Sequence, residues 1–216
     1  MSIITDALTK LKDGIAPEGY DLQKTAEDLF IFSERRPLNY WGFLLISAEI
    51  ADLGLVMDSP TVVIGAMLIS PLMIPLLQTG MAFAVGNIRL ATRAIGRVVA
   101  SILFVISLTS FTTMLVPIHQ VTSQIDARSQ PTALDLLVAF FVAIIACWTS
   151  LQRSNDTVTA AAGTAVSISL VPPLCVAGFG LGTLDRDILL GSSLLFTANF
   201  AAIILVSDLF FIAMGF

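Results

Sequence analysis

The sequence predicts an all-α polytopic membrane protein with six transmembrane spans. They form two inverted three-helix repeats in which helices 2 and 5 are broken by proline. Three observations predict this. Of the 216 residues, 56% are hydrophobic and only 12% charged, against roughly 45–50% and about 25% in soluble domains. Six apolar stretches each approach the ~20 residues that cross a bilayer core. Two of those stretches share Gly and Pro positions at one constant offset.

In chain order, residues 1–39 are polar and read as a cytoplasmic amphipathic segment. Ile4, Ala7, Leu8, Leu11 and Ile15 recur at helical spacing, and Pro17-Glu18-Gly19 ends that helix. Asp21 can cap a second helix to about Glu34, with Leu22, Ala26, Leu29 and Phe30 on one face. No basic stretch leads directly into an apolar core, so a cleavable signal peptide is not expected. The first repeat covers 40–117, with spans near Tyr40–Met57, Pro60–Val85 and Ala94–Pro117. An extracytoplasmic loop, 118–132, follows. The second repeat covers 133–216, with spans near Ala133–Leu151, Thr157–Leu181 and Ile188–Phe216.

Lys and Arg set the orientation. Lys10, Lys12, Lys24, Arg35, Arg36, Arg89, Arg93, Arg97 and Arg153 fall on one side, and only Arg128 and Arg186 on the other. Both termini should therefore face the cytoplasm of the plasma (inner) membrane. Each half has three spans, an odd number, so two similar halves must be inverted relative to one another. At an offset of 98 residues, Asp58 coincides with Asp156, Thr61 with Thr159, Gly65 with Gly163, Leu72 with Leu170, Pro75 with Pro173 and Gly80 with Gly178. Inverted repeats with paired broken helices are a signature of secondary transporters, and the breaks mark the binding site.

The breaks supply the candidate binding residues. Proline removes a backbone donor, and lipid offers no replacement. Ser70-Pro71 reads as the N-cap and first residue of a new half-helix, with Pro75 beyond it. Ser167, Ser169, Pro172 and Pro173 lie opposite in the second repeat. Two half-helix N-termini meeting at the midplane, each worth roughly half a positive charge, favour an anion or carboxylate. A plain proline kink satisfied by neighbouring helices is the structural alternative. Gln78, Thr79 and Asn199 could line a path, or could only join helices.

Acidic residues are the candidates for ion coupling. Glu49 and Asp52 lie three apart on one helix face. A charge at mid-bilayer costs about 2.5–3.5 kcal/mol even on insertion scales, so a partner, water or a proton is required. The alternative is a wet vestibule. Asp58 and Asp156 each precede a broken span, where capping is their simplest role and ion binding the other. Asp135 and Asp208 lie nearer span ends.

The rest of the inventory excludes chemistry. His119 is the single histidine and Cys147 and Cys175 are the two cysteines, both in apolar spans. No catalytic residue, metal site or cofactor is expected, and there is no HExxH, Cys/His pair or nucleophile motif. Partners should be membrane lipid, a small-molecule or ion solute, and further copies of the chain, because six spans shield little interior. Nucleic acid is not expected.

The stretch GAMLISPLMIP at Gly65–Pro75, with Gly80, Gly86 and Asn87 beyond it, resembles the signature of a bacterial and archaeal hydrophobic-domain family, domain of unknown function 389. AAAGTAVSISLVPPLCVAGFGLG at Ala160–Gly182 is similar to that family's second signature. The resemblance runs from about Leu38 to the C-terminus. It departs at Ile74, where the pattern leads us to expect Gly. It implies a multi-span membrane protein and no particular activity. The expected function is a transporter or channel-like carrier for a small anionic or carboxylate-bearing solute, coupled to protons or sodium. The alternative is a non-transporting sensor or scaffold acting through the N-terminal helices.

Overall fold

The computed structural model describes residues 37–116, 120–151 and 156–214, with side chains from 38–116, 120–150 and 169–214. The two amphipathic helices expected within 1–36 lie outside the described residues. Among those described, every regular element is an α-helix: α1 (Pro37–Val56), α2 (Pro60–Ile69), α3 (Met73–Ala84), α4 (Ile88–Leu115), α5 (Ser123–Ser129), α6 (Ala133–Leu151), α7 (Asp156–Thr183) and α8 (Arg186–Met214).

Helices α4, α6 and α8 are long and apolar enough to cross a membrane, and the bent pair α2–α3 makes a fourth if counted as one span. Helix α1 has 20 residues but carries Glu49 and Asp52. In α7 the apolar stretch with described side chains is Ser169–Thr183. The surface fits this reading. Large apolar side chains such as Ile64, Leu68, Leu103, Phe111, Phe141, Leu205 and Leu209 point outward. Ser47, Thr79, Ser101, Thr109, Ser192 and Ser207 are buried. Small and hydroxyl-bearing residues inside and bulky apolar ones outside is the arrangement lipid selects. Thr79, Thr109, Thr113 and Ser192 each donate to the carbonyl four residues back, so their hydroxyls are satisfied within their own helices.

The first break exists, but its geometry corrects the sequence reading. Ser70 is the C-cap of α2, not the N-cap of the next helix, and α3 opens at Met73 with Leu72 as its N-cap. The two halves meet at 55°. Pro75 falls in the first turn of α3, where its missing N–H would have had no helical partner in any case.

The second expected break is overturned. Helix α7 continues through Pro172 and Pro173. The spacing of the prolines explains the difference. In an unbroken helix Pro71 and Pro75 would each remove a bond, on successive turns of one face; with the break between them, Pro75 costs none. Adjacent Pro172 and Pro173 leave two neighbouring carbonyls, those of Ile168 and Ser169, without helical donors. Asn199 Nδ2 on α8 donates to Ser169 O at 3.0 Å and restores one of them.

Asp58 does not cap its own helix either. It sits at φ 52° in the turn after α1. There Asp58 N donates to Leu55 O and Ser59 N to Gly54 O, the paired bonds of a Schellman turn. Its carboxylate Oδ1 instead accepts from Ser123 Oγ at 2.7 Å and Gln124 N at 3.1 Å, holding the start of α5. Thr122 Oγ1 donates to Leu55 O at 2.7 Å. The short helix is thereby tied to the end of α1 and α2, and its Ile125 is fully buried.

The 98-residue offset recurs in the geometry. Helix α3 ends in a Schellman turn with Gly86 at φ 69°, and α7 in one with Leu184 at φ 60°. Asn87 then caps α4 by accepting from Leu90 N, and Asp185 caps α8 by accepting from Ile188 N. All three pairs are 98 apart. Two close helix approaches also exchange under this offset. A Cβ on Gly80 would stand 2.5 Å from Ser207 Cβ, and one on Gly178 would overlap Thr109 Oγ1. The offset carries Gly80 to Gly178 and Thr109 to Ser207, so each contact joins α3 or α7 to the last long helix of the other half.

Candidate functional site

Four elements converge on a cavity of about 280 Å³. Helix α5 contributes Arg128, α6 Asp135 and Val138, α7 Ser169 and Pro173, and α8 Leu195 and Asn199. Asn199 lies about 20 Å along α8 from its first residue, at 1.5 Å per residue. The cavity therefore runs from the α5 end of the bundle towards the middle of α8. Three residues expected at the site from sequence, Ser169, Pro173 and Asn199, are brought together here.

Asn199 is 3% exposed. Its Nδ2 is fixed by the bond to Ser169 O. Reversing the amide would set oxygen against oxygen, so the assignment of Oδ1 is secure. That oxygen is buried and accepts no hydrogen bond among the described residues. An unmet buried acceptor costs about 1–3 kcal/mol.

Arg128 comes from the loop and was not singled out as a site residue from sequence. Its Nη1 donates to Gln124 O at 2.8 Å and to Gln124 Oε1 at 2.9 Å. Burial pulls the guanidinium below its ordinary range, while the Asp135 carboxylate pushes it back up. An arginine this basic stays charged. Asp135 is held by a cap at the start of α6. Thr132 N and Oγ1 both donate to its Oδ2, at 2.8 and 2.7 Å, and Oδ1 takes no part in that cap. The sequence did hold one signal for Arg128: it is the only Lys or Arg in the loop 118–132, on the side with just two.

The offset of 98 relates this cavity to a second place. Val138, Ser169, Pro173, Leu195 and Asn199 correspond to Tyr40, Pro71, Pro75, Arg97 and Ser101. In the first half these positions are tied together. Tyr40 Oη lies 2.7 Å from Ser101 Oγ, whose own proton goes to Arg97 O at 2.9 Å, so the tyrosine donates. Arg97 Nη1 donates to Gln78 Oε1 at 3.3 Å. Gln78 is 1% exposed. Gln78 thus belongs to a separate polar cluster. Of the two sets of break residues, only Ser169 and Pro173, both of the second set, line the Arg128 cavity.

Glu49 and Asp52 form a third cluster. Thr112 Oγ1 lies 2.9 Å from Glu49 Oε1 and 3.2 Å from Oε2. Asp52 is 2% exposed, and its Oδ1 has no hydrogen-bond partner among the described residues. One turn away, Cys175 Sγ on α7 packs against Ala48 O at 3.7 Å. Glu49, Asp52 and Arg128 all lie within electrostatic reach of that thiol. The side chains of Ser167 and Asp156 lie outside the described residues, and Pro172 is buried in α7 away from the cavity lining. No group of three or more His, Cys, Asp or Glu suited to a metal occurs among the described residues.

These features define a protein of the membrane-spanning kind, all-helical in its described residues, with a cavity between its helices that carries a few polar side chains. A family model described as "Domain of unknown function" 389 matches residues 67–205, and the chain belongs to that family. It is 27% identical over 195 residues to an uncharacterized protein of Methanocaldococcus jannaschii. The alignment covers 90% of this chain and 59% of that protein, so the chain spans under two thirds of its relative's length. No solved structure matches.

Proposed function

We propose that this protein is a membrane carrier for a small carboxylate-bearing solute, bound in the cavity between α5, α6, α7 and α8. The observation that carries the reading is Arg128 at a cavity shared with Asp135, Ser169 and Asn199 that reaches the middle of a membrane-length helix. A charge inside a bundle is costly and by default marks a functional site. A volume just under the ~300–1,000 Å³ typical of ligand pockets suits a solute of few heavy atoms.

The mechanism follows from the offset. Six spans in two inverted repeats, with both termini in the plasma membrane's cytoplasmic face, would place pseudo-equivalent clusters near opposite sides. The paired Schellman turns and exchanged glycine contacts support that topology. One cluster holds a cavity and the other is closed by the Tyr40–Ser101 and Arg97–Gln78 bonds. Alternation between them is the rocking motion expected of such folds. Glu49, half-buried, and Asp52, buried, both on α1 near Cys175, are the proposed coupling site for protons or sodium. Association of several copies would shield the spans from lipid.

The test is solute-driven current or labelled uptake in proteoliposomes under proton and sodium gradients, for intact protein and Arg128→Gln. Saturable flux of a carboxylate, reduced at least tenfold by the substitution, is expected. Folded, inserted protein that moves no solute under any gradient would sink the reading.

A further inference from the structure

We infer that the Arg128 cavity recognises a small zwitterion, a carboxylate and an ammonium group on one short skeleton, and not a simple anion. The inference rests on the carrier reading of this cavity and narrows it to a substrate class.

Three side chains carry the argument. Arg128 is the cationic donor, and its two bonds to Gln124 both use Nη1. The remaining donors of its fork suit a carboxylate. Asp135 shares the cavity, so the guanidinium charge is opposed within the same space. A site lined by one cation and one anion is neutral, and a lone anion entering it would face the Asp135 carboxylate. Asn199 Oδ1 supplies the third element. It is a buried acceptor without a partner among the described residues, held in place by the bond from Nδ2 to Ser169 O, so turning the amide cannot satisfy it. A donor entering the cavity can, whether water or a ligand. An ammonium group meets both needs: its N–H bonds suit Asn199 Oδ1 and its charge suits Asp135. A carboxylate on the same skeleton suits Arg128. The cavity volume of about 280 Å³, the space of roughly nine waters at ~30 Å³ each, admits a solute of amino-acid size.

The test is equilibrium binding to the full chain in lipid nanodiscs, read by titration calorimetry. The probes are free glycine, its N,N-dimethyl derivative, its N,N,N-trimethyl derivative (betaine), acetate and methylammonium. Free glycine is expected to bind. Acetate, which lacks the ammonium, and methylammonium, which lacks the carboxylate, should each bind at least about tenfold more weakly, the cost of leaving one charged group unmet. The dimethyl compound keeps one N–H and betaine keeps none, although they differ by a single methyl. Betaine should therefore bind about tenfold more weakly than its dimethyl neighbour. Asp135→Asn keeps the Thr132 cap and should weaken glycine binding while leaving acetate unchanged or tighter. If that variant fails to fold, the ligand series on the unaltered protein decides alone. Acetate binding as tightly as glycine would overturn the zwitterion and leave an anion carrier standing. If no probe binds and no carboxylate is transported, both readings fall together.

Discussion

At the scale of single residues, Asn199 does two jobs with two ends of one amide. Its nitrogen serves the carbonyl that Pro173 leaves without a helical donor, and its oxygen faces the cavity. Asn199→Leu should therefore destabilise the fold by about 1–3 kcal/mol, the cost of a buried carbonyl without a donor. Thermal unfolding in detergent reads this as a lowered midpoint. Pro173→Ala makes the complementary case. It returns an N–H to the helix, so the loss from Asn199→Leu should shrink in the double variant. Equal losses with and without Pro173 would show that the amide does not serve that carbonyl. Asp52 poses the opposite question. It is 2% exposed and has an oxygen without a partner among the described residues, and a buried charge without its partner is costly. Asp52→Asn removes the ionisable group at nearly constant shape. It is expected to leave the unfolding midpoint unchanged or raised and to abolish the dependence of uptake on the proton gradient. Uptake that still follows the gradient would exclude Asp52 as the coupling residue. The partner of Asn199 was not legible in the sequence. Asn199 and Ser169 are 30 positions apart, and their pairing depends on how α7 and α8 pack.

At the scale of elements, proline content was legible and its consequence was not. Both runs carry two prolines, and both were expected to break. The structure bends 55° at Ser70–Leu72 and continues through Pro172–Pro173. Local sequence states which backbone bonds are lost. Only a neighbouring helix states which are replaced, and here α8 does so once. The existence of the other long helices was read well, because apolar length is a property of the segment alone. Helix α6 spans the expected Ala133–Leu151. Helix α4 starts six residues earlier than expected, at Ile88, because Asn87 caps it ahead of Arg89, Arg93 and Arg97. The bend itself can be tested. Spin labels at exposed Ile64 and Phe83 report the angle between α2 and α3. Replacing both Pro71 and Pro75 by alanine restores two helical donors and should lengthen the measured separation as the pair straightens. An unchanged distance would mean that packing, not proline, holds the bend.

At the scale of the whole molecule, one offset relates turns, caps and glycine contacts in the two halves. It also relates a cavity to a bonded cluster. Six coincident residues suggested this relation in the sequence. The corresponding site residues were harder to see, because Arg97 and Ser101 face Leu195 and Asn199 across the offset and share no chemistry with them. Shape is kept while side chains differ, so in the proposed carrier one half would hold solute while the other is latched. The Tyr40–Ser101 and Arg97–Gln78 bonds are the proposed latch. Each neutral or singly charged hydrogen bond contributes about 0.5–3 kcal/mol, so removing both with Tyr40→Phe and Gln78→Leu should shift the balance of states by roughly tenfold or more. A single cysteine at Ser169, with Cys147→Ser and Cys175→Ala removing the native thiols, reports access to the cavity. An impermeant maleimide applied from the side of Arg89 and Arg93 should label that cysteine about tenfold faster in the latch variant than without it. Labelling from the opposite side should hold or fall, because the two openings compete for one molecule. Rates that rise equally from both sides would indicate a loosened bundle instead of alternation. Rates that change from neither side would show that these bonds do not hold the second half closed.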